Sequence, residues 1–196
     1  MRSSEIVLIV ALCGAVAVAG AAVIAAARAR DQLGKARELA DLDSLTGLLN
    51  QRSFHELLGH EVARAHRYKR RLALIVVDVD NFKSINDQIG HLEGDTVLNE
   101  VAARLRAVVR AADIACRIGG DEFGIILPES SGDDAQMLAE RVVFGVSNPP
   151  LPDAPWLSVS AGVGELRDGD SPNDLFARAD KNLYGAKGAS TRVSRG

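Results

Sequence analysis

The chain has 196 residues, enough for one domain of ordinary size, with 47% hydrophobic residues and 23 Lys and Arg against 26 Asp and Glu, a formal net charge of -3. That slight acidic excess gives no electrostatic basis for binding nucleic acid. Only Cys13 and Cys116 occur, far apart and in unlike segments, so neither a disulfide framework nor a zinc cluster is supported.

After a short tail at 1–5, Ile6 to Ala27 contains no charged residue. As a helix it would run about 33 Å, close to the hydrocarbon thickness of a bilayer, and it reads as one transmembrane helix. Arg28, Arg30, Lys35 and Arg37 follow it, against Arg2 alone before it. The positive-inside bias then puts the C-terminal region in the cytoplasm, on a single-pass anchor in the inner membrane. A cleaved signal peptide and a buried alanine-rich helix compete with this reading, but the apolar stretch is long for a signal core. Residues 28–42 keep helix formers and charges without a proline. They read as a helical stalk leading to one domain at 43–196, with no room for a separate sensor.

Within that domain the pattern predicts a helix at Gln51–Tyr68, a strand at Leu72–Val79, a helix at Thr96–Arg110 and a hairpin pairing Ile114–Ile118 with Glu122–Leu127. A helix near Asp133–Val146, a Pro-rich loop at Asn148–Pro155, a strand at Trp156–Val163 and a helix at Asn173–Lys187 follow, with an edge strand at Thr191–Val193. The first strand is a β-branched run ending in Asp78 and Asp80, which share a face. Carboxylates delivered to a strand end suit Mg²⁺, which takes one or two of them together with phosphate oxygens and water. In the hairpin turn, Gly119 and Gly120 are expected to adopt positive φ and to let a phosphate or base approach the backbone. Asp121 and Glu122 follow and are expected to point to opposite faces.

The run Asp78-Val79-Asp80-Asn81-Phe82-Lys83-Ser84-Ile85-Asn86-Asp87, then Gly90-His91-Leu92-Glu93-Gly94-Asp95 and Gly119-Gly120-Asp121-Glu122-Phe123, strongly resembles the GGDEF diguanylate cyclases. The resemblance begins at Asp41-Leu42-Asp43-Ser44-Leu45-Thr46-Gly47-Leu48 and runs to Ala179-Asp180 and Tyr184-Gly185-Ala186-Lys187, covering nearly everything after residue 40. It implies an α/β fold of the nucleotidyl cyclase and polymerase palm kind, a central, mostly antiparallel sheet flanked by helices. It also implies an enzyme that condenses two GTP into cyclic di-GMP across a homodimer, with Mg²⁺ or Mn²⁺ as cofactor.

By motif position the resemblance implies that Asp78, the Val79 carbonyl and Asp121 bind metal, and that Asp121 or Glu122 helps deprotonate the attacking hydroxyl. Phe82, Lys83, Gly119, Gly120 and Lys187 fall where the family holds phosphates, and Lys83 also stabilises developing negative charge. Asn86 and Asp95 fall where it reads guanine, although Asp95 before Thr96 could instead cap a helix. His91 reads as packing or a turn contact. Beyond Lys187 the usual Gly-Arg-Asn is replaced by Ser190-Thr191-Arg192, so either Arg192 substitutes by a one-residue shift or a triphosphate contact is weakened. Arg110, Asp113 and Arg141 fall at the spacing of the family's product-inhibition site. The bland alternative for them is a helix-end surface pair. A catalytically silent receptor for cyclic di-GMP is the competing function, opposed by the intact Asp121-Glu122 pair. A scaffold without nucleotide leaves both carboxylate motifs unexplained.

Overall fold

Strand β1, Leu72–Val79, is buried at every position, because helices cover both of its faces and neither can be polar. The structure is a computed structural model that describes residues 41–152, 154–188 and 192–195. The predicted membrane helix and nearly all of the predicted stalk lie outside the described residues. Among those residues no helix is long and apolar enough to cross a membrane.

From the N-terminal side come α1 (Gln51–Tyr68), β1, α2 (Phe82–Ile89), α3 (His91–Val108), β2 (Ile114–Arg117), β3 (Glu122–Pro128), α4 (Gly132–Ser147), β4 (Val159–Glu165), α5 (Pro172–Gly188) and β5 (Val193–Arg195). The sheet order is β2-β3-β1-β4-β5. Every pairing is antiparallel except β4 with β5, which is parallel. The expected mostly antiparallel sheet with flanking helices is therefore present.

Alternation along β1 divides the core in two. Ala73, Ile75, Val77 and Val79 pack with Leu98, Val101 and Leu105 of α3 and Ala139 and Val142 of α4. Leu72, Leu74 and Val76 pack with Phe54 and Leu58 of α1 and Leu175, Ala179 and Leu183 of α5. Each large side chain so buried contributes about 1.5–3 kcal/mol. Two glycines flanking Val76 let the second layer approach. Gly124 and Gly162 both pair with Val76. A Cβ at Gly124 would stand 2.7 Å from the Phe54 ring, and one at Gly162 would stand 2.1 Å from the Leu183 backbone nitrogen.

Helix ends follow local chemistry. Asn50 caps α1 by accepting from the Ser53 N–H at 3.1 Å. Ser131 and Asp134 form a reciprocal capping box on α4. Ser171 and Asp174 bond reciprocally at the start of α5, where Pro172 leads the helix.

Several expectations are corrected. The helix expected from Thr96 begins at His91, and a separate helix α2 precedes it, broken from α3 by Gly90 at φ +94°. The sequence pattern assigns no element between Val79 and Thr96, because the polar run Lys83, Ser84, Asn86, Asp87 masks the buried Ile85. Asp95 consequently lies inside α3, which removes its reading as an N-cap, and His91 is helical. Among the described glycines positive φ belongs to Gly47, Gly90 and Gly169, so Gly119 and Gly120 turn the hairpin without it. Strand β4 begins at Val159 instead of Trp156, and the last strand falls at Val193–Arg195.

Candidate active site

Asp78 belongs by parity to the α1 and α5 side of the sheet, and that side carries it to α5. Its side chain is buried at 9% exposure, and Oδ2 accepts from the Lys187 Nζ at 2.8 Å. Lys187 lies in the last turn of α5, and the missing side chains at Gly162 and Gly164 bring that helix down onto β4.

Directly across the antiparallel ladder from Asp78 stands Glu122, at the start of β3. Two carboxylates on one face of neighbouring strands repel each other. Burial raises the pKa of Glu122, and the charges of Asp78, Asp121 and Asp180 add to it, with Lys187 opposing. Asp78 is also raised, first by burial and further by Asp121 and Asp80, while the bond and charge from Lys187 pull the other way. Asp121 is held close because its backbone carbonyl accepts from the Val79 N–H at 3.1 Å.

The hairpin turn has its own logic. A Cβ at Gly119 would stand 2.7 Å from Glu122 Oε2, whereas a Cβ at Gly120 would meet nothing within 4 Å. Gly119 therefore makes room for Glu122, and the open side of Gly120 leaves its backbone approachable. Arg117 fixes the turn: its Nη2 donates to the Gly120 carbonyl at 2.7 Å, and its Nη1 donates to Asp43 Oδ1 at 3.1 Å. Hydrogen bonds from Thr46 and Arg117 outweigh the effect of burial and lower the Asp43 pKa.

Beside this group opens a cleft of about 450 Å³ walled by Asp78, Asp80, Ser158, Ser160, Lys187 and Arg192. Asp80 is not free. It accepts from the hydroxyls of Ser158 and Ser160 at 2.7 Å each and pairs with Arg192. Asp80, expected beside Asp78 as a strand-end carboxylate, is engaged by hydroxyls and a guanidinium, and the two serines and Asn81 at the cleft were not among the expected site residues. The signal for them is a pair of hydroxyls, Ser158 and Ser160, alternating along an otherwise apolar strand.

At the far end of the turn after β1, Asn81 takes the left-handed conformation (φ 53°) and makes no side-chain cap on α2. The first N–H groups of α2 are thus left without a side-chain cap, as an anion site at a helix N-terminus would have them. Phe82 packs its ring partly against the core, and Lys83 is exposed. On the next turn Asn86 buries its Oδ1 with no hydrogen-bond partner, against Gly94, the residue before the exposed Asp95. The expected residues thus fall into two groups. Asp78, Asp121, Glu122 and Lys187 gather at the strand ends, while Phe82, Lys83, Asn86 and Asp95 line α2 and the first turns of α3, outside the walls of the cleft.

Arg110, Asp113 and Arg141 do converge, around a hollow of about 70 Å³ that Asp134 also lines. The Arg110 N–H donates to Asp113 Oδ2 at 2.8 Å, closing a turn, and Arg141 Nη2 donates to the Val108 carbonyl at 3.3 Å.

Among the described residues no three His, Cys, Asp or Glu side chains form a ready-made metal cage. The donor set still fits a hard divalent cation. Burial first and the neighbouring carboxylates second raise the pKa values of Asp78 and Glu122, so a cation there would relieve gathered negative charge, and Mg²⁺ takes few protein oxygens, completing its octahedron with phosphate and water.

Sheet order, helices on both faces and carboxylates at the adjoining ends of β1 and β3 define a GGDEF-type α/β domain. The family model described as "Diguanylate cyclase, GGDEF domain" matches residues 40–192, and the chain belongs to that family. It is 41% identical to the response regulator PleD of Caulobacter vibrioides over 164 residues, which cover 81% of this chain and 36% of PleD. It is 37% identical to the diguanylate cyclase TpbB of Pseudomonas aeruginosa, covering 82% of this chain and 38% of TpbB. The chain therefore spans well under half the length of these relatives. Among solved structures, the coiled coil and GGDEF domain of DgcB from Caulobacter crescentus in complex with c-di-GMP superposes with a TM-score of 0.85 at 29% identity, covering 92% of this chain and 98% of that one.

Proposed function

We propose that this chain is a diguanylate cyclase that joins two GTP molecules into cyclic di-GMP and releases two pyrophosphates. The observation that carries the reading is the meeting of Asp78, Glu122 and Lys187 at the ends of β1, β3 and α5, with the Asp121 carbonyl tied to Val79.

In each half-reaction a ribose 3′-hydroxyl of one GTP attacks the α-phosphate of the other in line. The new O–P bond forms as the bond to pyrophosphate breaks, and the hydroxyl proton passes to a base. Asp78, the Val79 carbonyl and Asp121 would hold Mg²⁺ or Mn²⁺, which when bound stabilises charge on the attacking and leaving oxygens. Glu122 is suited to hold the hydroxyl proton, because burial and the carboxylates beside it raise its pKa. Asp121 is the other residue placed for that role.

Lys83 and the uncapped start of α2 suit the phosphates, with Phe82 shaping the turn. Lys187 adds a second ammonium, and Gly119 and Gly120 keep the turn open. Asn86 and Asp95 suit the guanine edge, an amide and a carboxylate together satisfying donors and acceptors. Each domain holds one GTP, so two must face each other as a homodimer. Product would return to Arg110, Asp113 and Arg141, whose guanidinium forks match phosphate and guanine edges. The apolar run at 6–27 would anchor the chain in the inner membrane with the domain in the cytoplasm, where GTP is found. A topology reporter fused after Gly196 would read cytoplasmic in that case and periplasmic if the orientation is reversed.

The direct test is incubation of the purified full chain with GTP and Mg²⁺. Formation of cyclic di-GMP and pyrophosphate is the expected result. Binding of cyclic di-GMP with no turnover would assign the chain as a receptor instead.

A further inference from the structure

Asn86 Oδ1 is one of two side-chain N or O atoms, among the described residues, that are buried without a hydrogen-bond partner. Leaving an acceptor so is unfavourable, and the feature that sets its position lies on the neighbouring helix. A Cβ built at Gly94 would stand 1.8 Å from Asn86 Oδ1 and 3.0 Å from Asn86 Cγ. The amide of Asn86 therefore occupies the space that any side chain at position 94 would fill. Gly94 is buried in the first turns of α3, and its φ is not positive, so its backbone conformation does not require glycine.

We infer that Gly94 is the specificity-determining seat of Asn86: the absent side chain holds the amide in one pose, with Oδ1 lodged against α3 and Nδ2 left to donate to an acceptor on the purine. The inference rests on the reading of Asn86 as a guanine contact and adds the residue that positions it. Gly94 touches no substrate and acts only through Asn86.

The clash that defines the seat is with the free end of a side chain. At Gly162, by contrast, a Cβ would strike the Leu183 nitrogen and the Ala179 carbonyl at 2.1 and 2.2 Å, both backbone. An alanine at 94 is thus accommodated by swinging the Asn86 amide away, without lifting a helix. Alanine is also the better helix former, so the fold survives while the pose is lost.

Full-length Gly94→Ala, Asn86→Ala and the double variant are compared for the preference in kcat/KM for GTP over ATP and for melting temperature. The expected result is a fall in GTP preference of about tenfold or more in Gly94→Ala, matching Asn86→Ala, with no further fall in the double variant. Melting temperature should hold in Gly94→Ala and rise when the same change is made in the Asn86→Ala background. A Gly94→Ala enzyme that keeps its GTP preference while Asn86→Ala loses it overturns the seat. So does a double variant whose losses multiply, or one that melts below both singles. Unaltered preference in Asn86→Ala overturns the guanine reading of that residue, and the specificity role of Gly94 falls with it.

Discussion

Asp78 and Glu122 face each other directly across β1 and β3, two carboxylates in cross-strand register with Lys187 Nζ 2.8 Å from the first of them. A sheet built for stability alone would place opposite charges there. Burial instead raises the pKa of both acids, with the charge of Asp78 adding to the rise at Glu122 and those of Asp121 and Asp80 adding to the rise at Asp78.

That arrangement has a defined sign in pH. A carboxyl whose pKa is raised by folding favours the folded state when protonated. Its contribution is full below the unfolded value, about 4, and is lost as pH rises through the raised folded value. At neutral pH the ionised pair therefore costs stability in the absence of a divalent cation. Glu122→Gln should melt at a higher temperature than the parent in chelator at pH 7, and the difference should close as pH falls towards 4. A parent that melts higher at pH 7 would contradict the repulsion.

The same substitution removes the proposed proton acceptor. Glu122→Gln and Asp121→Ala should each lower cyclic di-GMP formation by about 10²-fold or more, with circular dichroism unchanged. Parental turnover in both would remove these residues from the chemistry.

Lys187→Met should raise the KM for GTP about tenfold, the loss of one charge-assisted contact of roughly 1.5–3 kcal/mol. Its stability cost should be small, on the order of 1 kcal/mol, because the Lys187 side chain is 41% exposed and solvent screens the pair. Steady-state kinetics beside a urea melt separates the two effects.

Gly162→Ala should cost about 3 kcal/mol, at the upper end for overpacking, since backbone on both sides of the position cannot yield. Denaturant unfolding measures it. Arg110→Ala, far from the strand ends, should weaken cyclic di-GMP binding about tenfold by calorimetry and relieve product inhibition. Unchanged affinity and unchanged inhibition would make Arg110 and Asp113 a surface pair.

The sequence carried the central strand well, because eight consecutive buried residues allow no polar position until Asp78, and the hairpin well, because Gly119 and Gly120 interrupt two apolar runs. It hid α2, where a single buried isoleucine is outnumbered by polar residues, and it hid Asp80's partners, because Ser158 and Ser160 meet it only once β4 pairs beside β1. Gly94 carried no signal either. Its purpose is set by a side chain eight positions earlier on a different helix.

Arg117 grips Asp43 with one arm and the Gly120 carbonyl with another, while the Leu49 carbonyl accepts from its backbone N–H at 2.8 Å. The segment before α1 and the turn bearing Asp121 are thereby yoked by one rigid strut. One guanidinium thus ties the Asp43 carboxylate to the Gly120 carbonyl directly, by a route that does not pass through the hydrophobic core.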